Sequence, residues 1–372
     1  MSHGEFHGGA RLSGAPFPSF TGAGAEPFVT TLESGTIIVR HAGKPLLRLR
    51  LEAGAEWVLS ALDGGDPTLR RPATLAALEF LTAERSAPAS LRLDAADWAD
   101  DANWLLERGI ATAKKQGALT VQAEALWQIP DPWLPRAGAA AFPLSYRLTD
   151  GKRHPLRPPK PVGTVYSRFI PWLGQSFSLR AASLGDDLET LHRWMNDPRV
   201  AQFWNEDGDL EHHRRYLGGL LADPHMLPLI GCFDGVPFAY FEIYWAKENR
   251  LGPYYDANDF DRGWHVVVGE DAYRGRSWLA AWLPSLVHWM FLDECRTQRI
   301  VGEPQADHHQ QIRNLDRSGF AKVKEFDFPH KRAMLVMLLR ERFFTDRLWA
   351  PDFTSSAAPQ TEALRHTAPL QA

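Results

Sequence analysis

Beyond residue 176 the apolar positions switch repeatedly between a period of two and a helical period, so strands and helices alternate there. Phe177-Ser178-Leu179-Arg180 reads as a short strand, and Ser183 with Asp186 three residues on marks a helix start. Leu188, Leu191 and Met195 recur at helical spacing until Asn196-Asp197-Pro198 ends the run, and Leu210–Ala222 predicts a second helix. Two strands, Leu229–Phe233 and Pro237–Trp245, meet at Asp234-Gly235, a strong hairpin signal. A polar loop from Lys247 to Arg262 leads into the apolar strand Gly263–Gly269. The turn Tyr273-Arg274-Gly275-Arg276-Ser277 opens a long apolar helix, Trp278–Cys295. Strand Arg299–Gly302, helix Asp307–Ser318 stopped at Gly319, and strands Ala321–Phe328 and Arg332–Leu339 complete the order β-α-α-β-β-β-α-β-α-β-β.

Upstream, Thr30–Leu51 alternates around the turn signal Ala42-Gly43-Lys44 and predicts paired strands. Thr74–Thr82 and Trp98–Lys114 read as helices, and Ala118–Trp127 as a closing strand. Residues 130–165 hold eight prolines, which predicts an extended connector outside the core. The expected organisation is a flexible N-terminus over 1–25, a smaller α/β domain over 26–150, a second domain over 151–345 and a flexible tail over 346–372. No internal repeat is evident in the residues, although two similar mixed α/β halves are compatible with them.

Composition changes this picture in a few respects. A net charge of −4 gives no broad basic surface, so nucleic acid is not an expected partner. No apolar run reaches bilayer length and the first residues lack the pattern of a secretory signal, which predicts a cytoplasmic protein without a membrane partner. Cys232 and Cys295 are far apart and make neither metal spacing nor an expected disulfide. Of fourteen tryptophans, eight lie between Trp172 and Trp289, which predicts an aromatic-rich core or cleft there. The pairs His212-His213 and His308-His309 have no carboxylate at zincin spacing, and no metal is expected.

A set of strings then occurs in one order: His154-Pro155-Leu156-Arg157-Pro158-Pro159; Tyr166 with Arg168-Phe169-Ile170-Pro171-Trp172; Arg199-Val200 with Phe203-Trp204; Tyr240 to Glu248; Tyr255-Asp256 with Asp261-Arg262-Gly263-Trp264-His265; Glu303-Pro304; and Pro329 to Ala333. Together with the element order, this set resembles the GNAT acyltransferases that acylate N6-hydroxylysine in aerobactin assembly and their mycobactin and hydroxyornithine relatives. The resemblance spans about His154 to Leu339. It implies an α/β (α+β) GNAT acyl-CoA N-acyltransferase fold with a mixed central sheet, the acyltransferase domain being 151–345. It also implies acetyl-CoA or another acyl-CoA as co-substrate, a small N-hydroxylated amine as acceptor, and other siderophore-assembly enzymes as candidate partners.

The chemistry of such a transfer needs a base, donors for a developing oxyanion and an anion site for the cofactor. His265 is the candidate base, a role the resemblance implies; by itself a histidine on an apolar strand is more often structural. Glu303, at a strand end, is expected to orient His265 or to fix the substrate, with Asp307 as fallback. The backbone near Val267 and Val268 is the expected oxyanion and pantetheine contact. Gly275, Ser277 and Trp278 form the turn at a helix start, and Arg274, Arg276, Arg313 and His308 are the expected phosphate contacts. The family usually carries a second small residue where Trp278 follows Ser277 here, and Leu315 stands where relatives have a tyrosine that protonates the thiolate. Trp204, Glu242, Tyr244 and Asp256 are expected in the acceptor pocket, Glu242 because an acid within an apolar strand needs a partner, either a substrate ammonium or an internal arginine. Two other functions fit the same residues: a GNAT enzyme acting on another small amine or a protein lysine, and a non-catalytic acyl-CoA-binding partner.

Overall fold

The computed structural model describes residues 14–21, 26–54, 56–63, 66–94, 96–114, 118–135 and 141–351. The expected flexibility of residues 1–13, 22–25 and 352–372 lies outside the described residues. Two eight-stranded mixed sheets dominate. The first contains β1 (Phe17–Ser19), β2 (Phe28–Glu33), β3 (Thr36–His41), β4 (Lys44–Glu52), β5 (Trp57–Asp63), β6 (Ser90–Leu93), β7 (Ala111–Ala113) and β8 (Leu119–Gln122), with helices α1 (Pro67–Thr82), α2 (Ala99–Glu107) and α3 (Ala123–Leu126). A hairpin of β9 (Tyr146–Thr149) and β10 (Lys152–Pro155) follows. The second sheet contains β11 (Thr164–Ile170), β12 (Gln175–Ala181), β13 (Met226–Phe233), β14 (Val236–Trp245), β15 (Arg262–Val268), β16 (Arg299–Gly302), β17 (Ala321–Asp327) and β18 (Arg332–Leu339). Its helices are α4 (Leu184–Met195), α5 (Pro198–Trp204), α6 (Leu210–Ala222), α7 (Arg276–Asp293), α8 (His309–Arg317) and α9 (Arg340–Thr345).

The two sheets share one topology. Strand order is β1-β2-β3-β4-β5-β6-β8-β7 in the first and β11-β12-β13-β14-β15-β16-β18-β17 in the second. Each has a single parallel pair, β5/β6 and β15/β16, bridged by its longest helix, α1 or α7. Each exchanges its last two strands and ends in a short helix. The second differs by inserting α4–α6 between β12 and β13. The repeat absent from the residues is therefore present in the topology, and the N-terminal half is a full eight-stranded unit.

Several local expectations change for identifiable reasons. Trp98–Lys114 is not one helix, because α2 closes at Arg108 and Gly109 takes a left-handed φ of 69°, after which Ala111–Ala113 pairs with β8. Ala118–Trp127 is a strand only to Gln122 and then turns into α3. Beyond Asn196 the chain enters α5 at once, because Asp197 caps its start by accepting from Arg199 N at 2.9 Å. At seven residues α5 is too short to show a period. The hairpin at Asp234-Gly235 has both residues at positive φ, 46° and 79°, as a tight turn between twisted strands needs.

The two halves bury one continuous core. At their seam Trp127 stacks on Trp349 with ring centroids 4.8 Å apart and packs on Trp133 at 4.5 Å. Trp133, within the proline-rich segment, donates from Nε1 to buried Glu79 at 2.9 Å, so this part of the expected connector is core. Fully buried Arg168 donates to the Trp349 carbonyl at 2.7 Å. His288 on α7 donates from Nε2 to the Trp127 carbonyl at 2.6 Å and accepts from Tyr166 at Nδ1, 2.9 Å. Burial holds this imidazole neutral, well below its ordinary pKa, and lifts the Glu79 carboxyl to about 7. Trp349 and Ala350 therefore belong to the packed structure and not to the expected flexible tail, and Phe17 in β1 is likewise buried. Cys232 is buried and Cys295 exposed, and both thiols are free. No helix among the described residues is long and apolar enough to cross a membrane.

Because Trp349 fills the seam, Trp349→Ala is expected to lower unfolding free energy by about 3–5 kcal/mol. Chemical denaturation checks this, and a loss below about 1 kcal/mol would mean that residues past α9 do not hold the halves together.

Candidate active site

β15 pairs in parallel with β16 only at Arg262/Ile300 and Gly263/Val301. Past that point the two strands diverge, and the next side chains face each other across the opening. His265 leads there from β15, with Glu242 directly opposite on β14 and Glu303 just past the end of β16. His265 Nδ1 lies 3.1 Å from Glu242 Oε2 and Nε2 lies 3.0 Å from Glu303 Oε1. The two acid side chains are almost fully buried, while the imidazole keeps 22% of its surface open to a cavity of about 520 Å³.

Further donors complete the row. Tyr216 on α6 donates to Glu242, as does Tyr240 at 3.2 Å. Tyr244 donates to Glu303 Oε2 at 2.7 Å, and Lys331 Nζ to the Glu303 carbonyl at 2.8 Å. Gly263 makes the Tyr244 contact possible, since a Cβ there would sit 2.4 Å from the phenol oxygen. Trp204 stands edge-on to the imidazole, centroids 6.1 Å apart, and donates to Tyr216 at 3.2 Å.

Burial alone would lower the His265 pKa, but the two carboxylates outweigh it and raise it to about 9. Glu303 shows the reciprocal effect: burial pushes it up, and the imidazolium with its hydrogen bond carries it down to about 2. In the free protein at neutral pH the His265 ring is therefore an imidazolium against an ionised Glu303. Burial and the neighbouring acids keep the three tyrosines protonated.

The structure brings together His265, Glu303, Glu242, Trp204 and Tyr244. Glu242 is partnered by His265 and two tyrosines rather than by an arginine. Asp256 is exposed, offers its carbonyl to Arg299, and is not on the cavity; Asp307 is exposed as well. His308 lines the cavity and caps α8 by accepting from Gln311 N at 3.2 Å. Arg313 is exposed on α8 against Gln310 and does not line the cavity.

At the far end of β15, Gly275 adopts φ 103° and begins α7 without a side-chain cap, unlike α4, α5, α6 and α8. Gly275 thus offers no side chain of its own to the first N–H groups of this eighteen-residue helix. The bulk of Trp278 goes into the core, against Phe233 and Tyr273 at 4.8 Å each, and leaves the turn clear. Arg274 is engaged in bracing that turn, donating to the Val268 carbonyl at 2.8 Å.

The β14/β15 ladder also corrects the expected oxyanion donor. Gly269 N bonds to Phe238 O and Ala246 N to Asp261 O, which fixes the alternation of bonded pairs. Tyr240/Val267 and Glu242/His265 are then bonded pairs, so the Val267 N–H faces β14. The groups aimed at the opening toward β16 belong to Val266 and Val268. Tyr216, Tyr240, Arg250, Val266 and Lys331 were not expected as site residues. The alternation Tyr240-Glu242-Tyr244 would have put three polar side chains on one face of β14, whereas Tyr216 comes from a distant helix and gives no such signal.

With this geometry in view, the chain's likenesses are informative. The family profile for the acetyltransferase (GNAT) domain matches residues 183–328. Over 324 residues the chain is 36% identical to a Schizosaccharomyces pombe protein named "Putative lysine N-acyltransferase", covering 86% of this chain and 96% of that one. It is 43% identical over 227 residues to the N(6)-hydroxylysine O-acetyltransferase of Escherichia coli, covering 61% and 72%. Over 195 residues it is 48% identical to an N(5)-hydroxyornithine:cis-anhydromevalonyl coenzyme A-N(5)-transacylase of Beauveria bassiana, covering 51% of this chain and 43% of that one.

The ionic row sets a pH dependence of stability. The raised His265 pKa contributes stability that is complete below about 6.5 and is lost as pH rises through about 9. The depressed Glu303 pKa contributes stability that is complete above about 4.3 and is lost as pH falls through about 2. Between pH 6.5 and 9 the urea midpoint of the wild type is expected to decline more steeply than that of His265→Gln. Parallel slopes would show that the imidazolium is not stabilised by its flanking acids.

Proposed function

The chain belongs to the GNAT acetyltransferase family, and within it we propose that it transfers an acyl group from acyl-CoA to the hydroxylated nitrogen of a small N-hydroxyamine, giving a hydroxamate for siderophore assembly. The observation that carries this reading is the Glu242–His265–Glu303 row, open to a cavity at the point where β15 and β16 part. The relatives named for N6-hydroxylysine and N5-hydroxyornithine acylation support the acceptor class.

Acyl-CoA would supply the activated thioester. The residues suited to hold it are the uncapped α7 start at Gly275, Arg276, Ser277 and Trp278 for its phosphates, and the Val266 and Val268 backbone for its extended arm. The Val266 N–H, aimed into the opening, suits charge developing on a carbonyl oxygen. No metal is part of the proposal.

An N-hydroxyamine is much less basic than an alkylamine and reaches the site uncharged, so the protein need not strip an ammonium proton before attack. It must still accept the proton that leaves nitrogen as the new bond forms. With both ring nitrogens of His265 engaged and the ring charged, the imidazole becomes a base only when one proton shifts onto a flanking carboxylate. The row, not the ring alone, is then the base. Tyr216 and Tyr240 on Glu242, and Tyr244 on Glu303, hold the acids in register for that shift.

Purified protein given acetyl-CoA with N6-hydroxylysine, N5-hydroxyornithine or N-hydroxycadaverine is expected to release CoA, faster than with the unhydroxylated amines. His265→Gln should lower kcat/KM by about 10²–10⁴-fold. Absence of CoA release with every N-hydroxyamine, from folded protein, would overturn the reading.

A further inference from the structure

The cavity holds more positive charge than the catalytic row uses. Arg250 and Lys331 both line it. Arg250, in the loop between β14 and β15, has one hydrogen-bonding contact among the described residues, a long 3.4 Å approach of Nη2 to Glu303 Oε1, besides lying over the Phe328 ring. A guanidinium carries five donors in a fork shaped for a carboxylate. Lys331 spends one donor on the Glu303 carbonyl. Burial and Arg250 hold the Lys331 pKa down against the pull of Glu303.

Counted formally, the charges along the cavity balance, with Glu206, Glu242 and Glu303 against His265, Arg250 and Lys331, but they are not evenly paired. Glu303 spends Oε1 on His265 and Oε2 on Tyr244, so Arg250 meets it only at 3.4 Å and keeps most of its donors. The remaining acid on the cavity, Glu206, faces His212 at 2.9 Å, and His308 uses its Nδ1 on Gln311. The unused donors of Arg250 suit an anionic group beside it, and a balanced cavity suits an acceptor whose own charges balance. Arg250 and His265 meet the same oxygen of Glu303, at 3.4 and 3.0 Å, so the guanidinium stands no more than about 6.4 Å from the ring nitrogen. That gap is on the scale of an aliphatic side chain joining a reacting nitrogen to a headgroup.

We infer that Arg250, with Lys331, forms a docking subsite for the α-carboxylate of the acceptor, so that the acceptor is an N-hydroxylated amino acid rather than a decarboxylated diamine. This rests on the acyl-transfer reading for the identity of the reacting nitrogen.

The test compares N6-hydroxylysine with N-hydroxycadaverine, which has the same chain and nitrogen without the carboxylate. Wild type should favour N6-hydroxylysine in kcat/KM by about 10–100-fold, and Arg250→Gln should collapse that ratio, chiefly through KM for the amino acid. Arg250→Lys should restore part of it, and Lys331→Met should erode it independently. A purely structural role through Glu303 would depress both acceptors equally, leave the ratio intact and overturn the inference. Calorimetric binding of the two acceptors without any acyl donor separates this inference from the reading it rests on. Preference for N6-hydroxylysine that is lost in Arg250→Gln sustains the subsite even if no acyl transfer is seen. Equal binding, or binding of neither, overturns it even if transfer proceeds.

Discussion

Two carboxylates almost out of contact with water, three ångströms either side of one imidazole, are the constraint around which the C-terminal half is arranged. Either acid alone would be costly to bury, and the imidazolium between them is what makes both tolerable. Each member comes from a different strand, Glu242 from β14, His265 from β15 and Glu303 from the end of β16. The row therefore joins β15 to β16 at the place where their backbone ladder has stopped. Parting two neighbouring strands exposes backbone groups that catalysis can use, and side-chain charge takes over the cohesion lost there.

Such a row keeps its register only if the strands carrying it are held from behind. Trp264 alternates with His265 and packs on Phe320 at 5.2 Å, so the two faces of β15 divide the work between core and site. Helix α7, which begins at the uncapped Gly275 turn, is fixed at its middle by His288, whose two ring nitrogens reach Tyr166 on β11 and the Trp127 carbonyl of the N-terminal half. With Arg168 on Trp349 and Trp133 on Glu79, this seam sets the direction of α7, and with it the position of its first N–H groups. The N-terminal half thus acts on the site through packing, and none of its described residues lines the cavity.

Much of this was legible in the chain. The second half's strands and helices stood out because its polar and apolar positions follow one period at a time, and Asp234-Gly235 marked its turn without ambiguity. His265 came from the family resemblance and not from its own surroundings, Glu303 from its place at a strand end, and Glu242 from being an acid where apolar residues surround it. What the residues did not show was long-range or short. The partner of Glu242 is the residue across the ladder, which pairing register alone reveals. Tyr216 reaches the acid from 26 residues away. Val267 was expected as a backbone donor, but which N–H faces the opening depends on the phase of hydrogen bonding, and sequence periodicity carries no information about that. Asp256 was drawn in by its neighbours in the string, while its side chain is exposed and does not line the cavity.

The same topology twice in one chain, with the ionic row in the second copy, shows what the fold does not supply by itself. In the first copy the bridging helix α1 begins at Asp66, whose carboxylate accepts from Thr68 N at 2.8 Å, so its first turn is already satisfied and carries a negative charge. The equivalent α7 begins at a glycine with no cap. The first copy also fills the space beside its parallel pair. Trp98, at the cap of α2, is fully buried and donates from its indole to the Leu59 carbonyl on β5 at 3.1 Å, and Asp94 N reaches the same oxygen at 3.2 Å. Where α2 has that indole, α8 has His308 at the rim of an open cavity. An aspartate where the other copy has a glycine caps the helix start, and a tryptophan where the other has a histidine fills the space beside the parallel pair, while the strand order stays intact. The fold provides two parallel strands and a helix that starts between them; whether the strands stay zipped or part around an ionic row is decided by a handful of side chains at that junction.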